Sequence, residues 1–227
     1  MRIERHSGLF GAESASGLAV VIDVFRASTQ IVTLLRYGAR AVVPTNTLSD
    51  ARELARQHPQ WILAGEREGK APSGFMLGNS PAQSASFDVR GKIFILSTSA
   101  GTPGLVAASA RCDTVLVGAL ANITSVVKAI DDLAPQVVTL VAMGKAGIRP
   151  TPEDEVTADY FEDLLRGRQP DWSRIDTEIR SHPEALKFGD PAQPNYPAED
   201  LEFCLGVDTS NVVPELRGGK ISVFSSS

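Results

Sequence analysis

The regular alternation of short apolar runs with amphipathic stretches constrains the fold of this chain more than any other feature. The apolar runs lack the polar residue at every second position that a half-exposed strand shows, and such runs are typical of strands buried on both faces. The predicted strands are 18–22, 41–43, 61–64, 92–96, 114–117, 137–141 and 221–224. Strands that alternate with helices predict a three-layer α/β/α sandwich around a mostly parallel, or mixed, central sheet.

The amphipathic stretches predict the helices that cover this sheet. Ser49 and Asn122 are candidate N-caps, because short polar side chains satisfy the free backbone N–H groups at a helix start. The predicted helices are 28–37, 50–55, 105–110, 123–133, 153–165 and 199–205. The chain has 227 residues, a length that suits one domain, so we expect a single α/β domain over 1–227.

The stretch at about 167–197 differs in character from the rest of the chain. It is polar and carries prolines at 170, 183, 191, 194 and 197. We interpret it as an excursion with short helices, and not as a linker between domains.

Composition and charge limit the partners that the protein can bind. The net charge is −5, from 22 basic and 27 acidic side chains, so the chain lacks the basic excess that a nucleic-acid-binding protein needs. A few local arginines can still form a positive pocket for a small anionic substrate. No apolar run approaches the roughly 20 residues of a membrane span, and we expect a cytoplasmic protein. Homo-oligomer formation stays open.

Two of the predicted strands end in charged and polar residues. Asp23, Arg26 and Ser28 follow the strand at 18–22. Glu66 and Arg67 follow the strand at 61–64, and the loop after them leads to Asn79 and Ser80. Ligands of open parallel sheets bind beyond the carboxyl ends of the strands, so these residues are candidates for one site.

Two further strand ends add to this set. Ser99, Gly101 and Thr102 follow the strand at 92–96, and Gly144 follows the strand at 137–141. The acidic triplet Glu153, Asp154 and Glu155 comes shortly afterwards. Because carboxyl ends of parallel strands lie at one edge of a sheet, we expect the four ends to form a single rim.

The residue types at these ends suggest phosphate chemistry with a hard metal ion. Carboxylates are the oxygen ligands that Mg²⁺ prefers, and arginines offer planar forks for phosphate oxygens. Backbone N–H groups at a helix start favour an anion. The predicted catalytic residues are Asp23, Arg26, Ser28, Glu66 and Arg67. The predicted substrate-binding residues are Asn79, Ser80, Ser99, Gly101, Thr102 and Gly144. The predicted metal ligands are Asp23, Glu66, Glu153, Asp154 and Glu155.

Each of these features also has a structural interpretation. Asp23 could cap the helix that follows it, and Arg26 and Arg67 could be surface charges. An acidic triplet behind Pro152 is an ordinary helix start, since negative charge there complements the helix dipole. The agreement of four strand ends, and not any single residue, is what favours a site.

The order and spacing of these motifs resemble the 2-phosphosulfolactate phosphatase family. The resemblance covers nearly the whole chain. The matching segments are 21–29, 65–67, 77–81, 97–102, 153–155, Gly189, 200–201, 204–205 and 208–214. It implies a Mg²⁺-dependent hydrolase that converts 2-phospho-3-sulfolactate to 3-sulfolactate and phosphate, a step in coenzyme M biosynthesis. Asp23 would act as a metal ligand or as a nucleophile that forms an acyl phosphate.

Several positions depart from the family pattern, among them Thr157 and Asp159, where the family often has small residues after the acidic triplet. The family has Asn and Arg around its Gly-Thr pair, where this chain has Ala100 and Pro103, and its acidic triplet ends in Asp, where this chain has Glu155. A different substrate, or another cation such as Lys145 or Arg149, would account for the lost arginine. A non-catalytic small-anion binding protein and a metal-dependent enzyme for another reaction, such as a lyase on a phospho-acid, stay open as alternatives.

Overall fold

A nine-stranded β-sheet organises the chain in the computed structural model, which describes residues 1–224. The strands are β1 (Arg2–Ser7), β2 (Leu18–Ile22), β3 (Ala41–Pro44), β4 (Ile62–Gly65), β5 (Ile93–Ser97), β6 (Thr114–Gly118), β7 (Val137–Ala142), β8 (Pro214–Arg217) and β9 (Lys220–Val223). The helices are α1 (Gly8–Glu13), α2 (Ala27–Arg36), α3 (Leu48–Gln57), α4 (Pro81–Ser86), α5 (Gly101–Ser109), α6 (Ile123–Leu133), α7 (Pro152–Leu165), α8 (Trp172–Ser181) and α9 (Ala198–Leu205). None of these helices is long and apolar enough to cross a membrane.

The sheet consists of two parallel halves joined by an antiparallel hairpin. Its strand order is β1-β7-β2-β6-β8-β9-β3-β5-β4. All pairs within β1-β7-β2-β6 and within β3-β5-β4 are parallel, whereas β8 and β9 pair antiparallel with each other and with their outer neighbours. The mostly parallel, mixed sheet of the sequence prediction is confirmed.

Strand twist explains how the two halves can serve one site. The three antiparallel pairings reverse the direction of β3, β5 and β4 relative to β2, which would place their carboxyl ends at opposite edges of a flat sheet. Six steps in the strand order separate β2 from β4. At roughly 20–25° of twist per step, the rotation accumulates to roughly 120–150° and turns the ends of β4 and β5 back toward the end of β2.

Two apolar layers lie on the two faces of the sheet, as a three-layer sandwich requires. In β2, Ala19 and Val21 belong to one hydrophobic cluster, and Val20 and Ile22 belong to the other. All five residues of the strand are buried. This two-sided burial is the physical reason why the strand is continuously apolar and does not alternate.

Helix α5 lies between the two halves of the sheet. It follows β5 and leads to β6, and it packs against β2, β6, β3 and β8. Its first residue, Gly101, touches the end of β2, where an added Cβ would lie 2.6 Å from Ala27 Cβ and 2.7 Å from Asp23 Oδ2. The predicted start of this helix at 105 is wrong by four residues, because glycine and proline in its first turn conceal the helical pattern.

Other elements differ from the prediction for local reasons. Helix α3 is capped by Thr47 and not by Ser49: the Thr47 hydroxyl accepts the Asp50 N–H, and the Asp50 carboxylate accepts the Thr47 N–H. Asn122 directly precedes α6, as predicted. Its side chain does not cap the helix, because Oδ1 accepts the Ala119 N–H instead of a helix N–H. The sequence analysis missed four short elements: β1, which is rich in polar residues, α1, which contains two glycines in six residues, and α4 and β8, which begin with proline.

The excursion at about 167–197 contains α8 and then a series of turns. Its turns carry Phe188 and Tyr196, whose rings meet edge to face with centroids 5.6 Å apart. Phe188 also packs against Phe25, which lies in the segment after β2, at a centroid distance of 5.0 Å. The excursion is therefore packed onto the carboxyl end of the first parallel half.

Candidate active site

A cleft of about 200 Å³ lies where the ends of β2, β4, β5 and β7 meet. It is lined by six acidic side chains, from Asp23, Glu66, Glu68, Glu153, Asp154 and Glu184. Three cationic side chains line it as well, from Arg26, Lys145 and Lys187. Of the residues singled out in the sequence, the cleft brings together Asp23, Arg26, Glu66, Asn79, Ser99, Gly144, Glu153 and Asp154.

Asp23 is held at the end of β2 by the backbone of the loop that follows. Its Oδ1 accepts the Ala27 N–H at 3.2 Å, while its own N–H and C=O bond to Ser28. Burial, followed by the negative charges of Glu66 and Glu153, raises the pKa of Asp23 to about 7, against the opposing effect of N–H donors from Ala27 and Gly101. A nearby positive charge favours the ionised form of a carboxyl group, so a cation that enters the cleft would stabilise the Asp23 carboxylate.

Glu66 is fixed by two backbone N–H groups from different elements. Its Oε1 accepts the Ser99 N–H at 2.7 Å, and its Oε2 accepts the Gly69 N–H at 2.8 Å. The first bond ties the end of β4 to the loop after β5, and the second closes the turn after Glu66. Charge-assisted bonds of this kind hold a short carboxylate in one orientation.

Asp154 joins the loops after β2 and β7. Its Oδ1 accepts the Val24 N–H and its Oδ2 accepts the Gly144 N–H, both at 2.7 Å. Gly144 adopts a φ of +62°, and a Cβ there would lie 2.3 Å from the Arg149 carbonyl oxygen. Burial and the charges of Glu153 and Asp23 raise the pKa of Asp154 well above its usual range.

Asp23, Glu66 and Glu153, which we call the acidic cluster, have no cationic side-chain partner in the part of the chain that the structure describes. Glu153 is 5% exposed, and burial raises its pKa. No salt bridge within residues 1–224 involves any of the three carboxylates. Buried charges are ordinarily paired, so this cluster carries negative charge that a ligand can neutralise.

Arg26 is the buried cation of the cleft. Its Nη1 donates to Asp200 Oδ2 at 2.6 Å and to the Asn195 carbonyl at 2.9 Å. The guanidinium also lies over the rings of Tyr196 and Phe188, at 4.7 and 5.8 Å from their centroids. A guanidinium has five N–H donors, so donors remain for an anion in the cleft.

Asp200, which contacts Arg26, is a residue behind the candidate site that the site prediction missed. It is fully buried, and besides Arg26 it accepts the Ser80 hydroxyl at 2.8 Å and the Ala82 N–H at 2.9 Å. It follows no strand, so the rule of strand ends could not find it. An Asp in the first turn of a predicted helix is also an ordinary feature.

Several predicted site residues have structural contacts in place of cleft contacts. Arg67 donates to the Ser97 carbonyl and hydroxyl, at 3.1 and 3.0 Å. Ser80 caps α4 by accepting the Gln83 N–H. The hydroxyl of Thr102 accepts the Thr98 N–H, and the hydroxyl of Thr98 accepts the Thr102 N–H. Ser28 and Gly101 lie behind Asp23 and support it through backbone contacts.

Glu155 points away from the other two acids of its triplet. Its Oε1 accepts the Ser7 hydroxyl at 2.5 Å and its Oε2 accepts Arg5 Nη2 at 3.1 Å, which ties α7 to β1. Side chains two positions apart on a helix lie on different faces. The structure therefore brings Glu153 to the cleft and leaves Glu155 outside it.

Asn79 Oδ1 is a buried polar atom at the cleft that lacks a hydrogen-bond partner among the described residues. The Thr151 hydroxyl, also on the lining, lies beside the Glu153 carboxylate. Buried polar groups in proteins are nearly always bonded to protein, water or ligand. The position of Asn79 Oδ1 on the lining favours a polar ligand.

Comparison with known proteins agrees with this geometry. The family model described as 2-phosphosulpholactate phosphatase matches residues 7–219. A probable 2-phosphosulfolactate phosphatase from Thermus thermophilus is 34% identical over 220 residues, covering 91% of this chain and 92% of the relative. One from Thermoplasma acidophilum is 30% identical over 210 residues, covering 92% and 90%. The chain therefore belongs to the 2-phosphosulfolactate phosphatase family of phosphoric monoester hydrolases.

Proposed function

We propose that this protein hydrolyses 2-phospho-3-sulfolactate, or a closely related small phosphorylated acid, to the hydroxy acid and phosphate in a Mg²⁺-dependent reaction. The observation that carries the proposal is the acidic cluster, whose three buried carboxylates face the same cleft as the buried Arg26. The substrate named for the relatives supports the choice of phosphoester.

The donor set of the cleft fits Mg²⁺. Asp23, Glu66 and Glu153 offer hard oxygen atoms and lack a cation, and the unpaired Asn79 Oδ1 is a further oxygen donor on the lining. Within residues 1–224 no three acidic, His or Cys side chains stand close enough to hold one ion together. Mg²⁺ commonly takes only one or two carboxylates and keeps water or phosphate oxygens for the rest, so one or two of these carboxylates would be enough to hold it.

When bound, Mg²⁺ would supply positive charge to the phosphoryl oxygens. Arg26 would bind the same group through its remaining N–H donors, held in place by Asp200 and the two aromatic rings. Fixed positive charge aimed at the transferring group lowers the barrier without reorganising during the reaction. The cleft then stabilises the transition state by charge that is already in position.

Asp23 has two roles consistent with this arrangement, as a metal ligand or as the nucleophile. Its buried carboxylate sits between the loop after β2 and the start of α5. Acid quenching during turnover of a substrate with labelled phosphate separates them. Label on the protein that is lost in the Asp23→Asn variant identifies the nucleophile, and unlabelled protein during active turnover identifies the ligand.

The proposal is tested by measuring phosphate release from 2-phospho-3-sulfolactate and a panel of phosphoesters, with Mg²⁺ and with a chelator. We expect multiple turnovers, dependence on Mg²⁺, and 3-sulfolactate as the product in mass spectrometry. Binding of the substrate without turnover would contradict the proposal and identify a binding protein. A product other than the hydroxy acid would identify a lyase or another phospho-acid enzyme.

A further inference from the structure

A second charge cluster shares the cleft with the acidic cluster. Glu184, in the excursion, is surrounded by three cations. Its Oε1 lies 3.3 Å from Lys145 Nζ and 3.5 Å from Arg149 Nη2, and its Oε2 pairs with Lys187 Nζ. We call these four residues the lysine cluster. Lys145, Glu184 and Lys187 line the cleft itself.

The lysine cluster carries more positive charge than its own contacts require. Three cations and one carboxylate leave a net charge of +2. Lys145 and Arg149 are at least half-exposed, whereas Lys187 and Glu184 are mostly buried. Ion pairs with an exposed partner contribute little to stability, so folding alone gives a weak reason for placing Lys145 and Arg149 beside Glu184.

The lysine cluster has no role in binding the metal ion or the phosphate of the proposed function. In the proposed function, the acidic cluster holds the metal ion, and the metal ion and Arg26 bind the phosphate. A substrate with no anion besides its phosphate would therefore leave the lysine cluster without a ligand. The substrate class of the proposed function carries a second kind of anion: 2-phosphosulfolactate has a carboxylate and a sulfonate besides its phosphate. Groups of opposite charge on the lining of one cleft can orient a substrate whose charged groups differ.

We propose that the lysine cluster is the subsite for a non-reacting anion of the substrate, its carboxylate or sulfonate, with Lys187 as the main contact. The inference rests on the proposed function and names what selects its substrate. In the free protein, Glu184 occupies the position of that anion and keeps the cations gathered. The substrate group then replaces Glu184 as the partner of Lys187, and Lys145 and Arg149 contribute from the rim.

The test compares two phosphoesters that differ in the second anion. Isopropyl phosphate has a phosphate on a secondary carbon and no other charge, whereas 2-phospho-3-sulfolactate has two further anionic groups. The measured quantity is kcat/KM for 2-phospho-3-sulfolactate divided by kcat/KM for isopropyl phosphate. For Lys187→Gln we expect this ratio to fall about 10-fold or more, because one charge-assisted contact is lost. Lys128, exposed on α6 and outside the cleft, provides the control Lys128→Gln.

An unchanged ratio, whether kcat/KM falls equally for both substrates or for neither, would overturn the subsite. If Lys187→Gln is unstable, as judged by thermal unfolding, Lys145→Gln serves instead, because that lysine is half-exposed. We expect its ratio to fall less, about 3-fold. An unchanged ratio in this variant as well would also count against the proposal.

Calorimetric binding of 3-sulfolactate separates the subsite from the hydrolytic activity. We expect wild type to bind this product and Lys187→Gln to bind it at least about 10-fold more weakly. If no phosphoester is hydrolysed but this difference is found, the proposed function fails and the anion subsite stands. If hydrolysis occurs and Lys187→Gln binds 3-sulfolactate as wild type does, the subsite fails and the proposed function stands.

Discussion

The acidic cluster and the lysine cluster line one cleft but are built in different ways. Asp23 and Glu66 are short side chains anchored by backbone N–H groups at the ends of strands and helices. Lys145, Lys187 and Glu184 come from a loop and the excursion, and they are anchored mainly to one another. The first cluster is part of the scaffold, whereas the second can rearrange without moving the sheet.

The two kinds of anchoring suit two different roles in the cleft. Groups that meet the reacting atoms need a fixed geometry, and rigid elements provide it. Groups that select a substrate can lie on loops, which vary more than the elements they connect. In our account, the chemistry resides in the acidic cluster and substrate choice resides in the lysine cluster.

The largest expected effect compares two glutamates of one helix. Glu153→Gln removes a carboxylate of the acidic cluster, and we expect kcat/KM to fall about 10²- to 10³-fold, the usual cost of one fixed electrostatic group. Glu155→Gln changes the same residue type two positions away, where it contacts Ser7 and Arg5. We expect it to stay within about 2-fold of wild type, because the Glu155 carboxylate lies outside the cleft and Gln can still bond to Ser7 and Arg5. Equal losses would show that the two faces of α7 are not distinct.

The next largest effect concerns the support of Arg26. Asp200→Asn removes the charge of a fully buried partner and leaves the guanidinium uncompensated. We expect the free energy of unfolding to fall by about 3 kcal/mol, as when one member of a buried ion pair is lost. Urea unfolding measures this free energy. The control is Glu202→Gln, because Glu202 lies on the same helix as Asp200 and its pair with Arg180 of α8 is exposed. A loss as small as that of the control would contradict the buried pair.

A third prediction links the acidic cluster to pH. Burial raises the pKa of Asp23 from 3.8 to about 7, so between about pH 4 and pH 7 the folded protein binds more protons than the unfolded chain, and stability falls as pH rises. Asp23→Asn removes this titration. The quantity compared is the free energy of unfolding of the variant minus that of wild type, both measured with a chelator. We expect this difference to increase by about 2 to 4 kcal/mol from pH 4 to pH 8.

Urea unfolding of both proteins across this pH range measures the effect. A stability difference that stays constant between the two pH values would show that the Asp23 carboxyl is not destabilised by its surroundings. Adding Mg²⁺ at pH 8 should stabilise wild type more than the variant, because a ligand stabilises the state that binds it.

The smallest expected effect sharpens the contrast in exposure. The half-exposed cations of the lysine cluster are open to screening by salt, whereas the buried acidic cluster is not. We expect KM for 2-phospho-3-sulfolactate to rise about 3-fold between about 0.05 and 0.5 M NaCl, while kcat changes less. A salt effect confined to kcat would place the sensitive charges in the reacting part of the cleft.

Much of the fold follows from periodicity alone. Strands such as β2 are buried on both faces, so their apolar runs stand out in the sequence. The edge strand β1 and strand β8 of the hairpin carry charged residues and did not stand out. The reversal between the two halves depends on where β8 and β9 insert, and this is a tertiary fact that no local pattern contains.

The candidate site was predictable to the extent that it follows strand ends. The acidic cluster does so, and its residues were identified from their positions after β2, β4 and β7. Lys187 and Glu184 follow no strand; they reach the cleft because the excursion folds back over it. Asp200 also follows no strand, and it contacts Arg26 from α9. Arg67 and Glu155 follow the rule but point elsewhere, because the direction of a side chain depends on its partners.

The most direct test of the central claim is phosphate release by Asp23→Asn. The exchange is nearly isosteric; it removes the charge of one carboxylate of the acidic cluster and leaves one acceptor oxygen for the Ala27 N–H. With 2-phospho-3-sulfolactate and Mg²⁺, we expect multiple-turnover phosphate release by wild type and a loss in kcat/KM on the order of 10³-fold or more in the variant. A folded Asp23→Asn variant with full activity would contradict the assignment of the cleft as the active site.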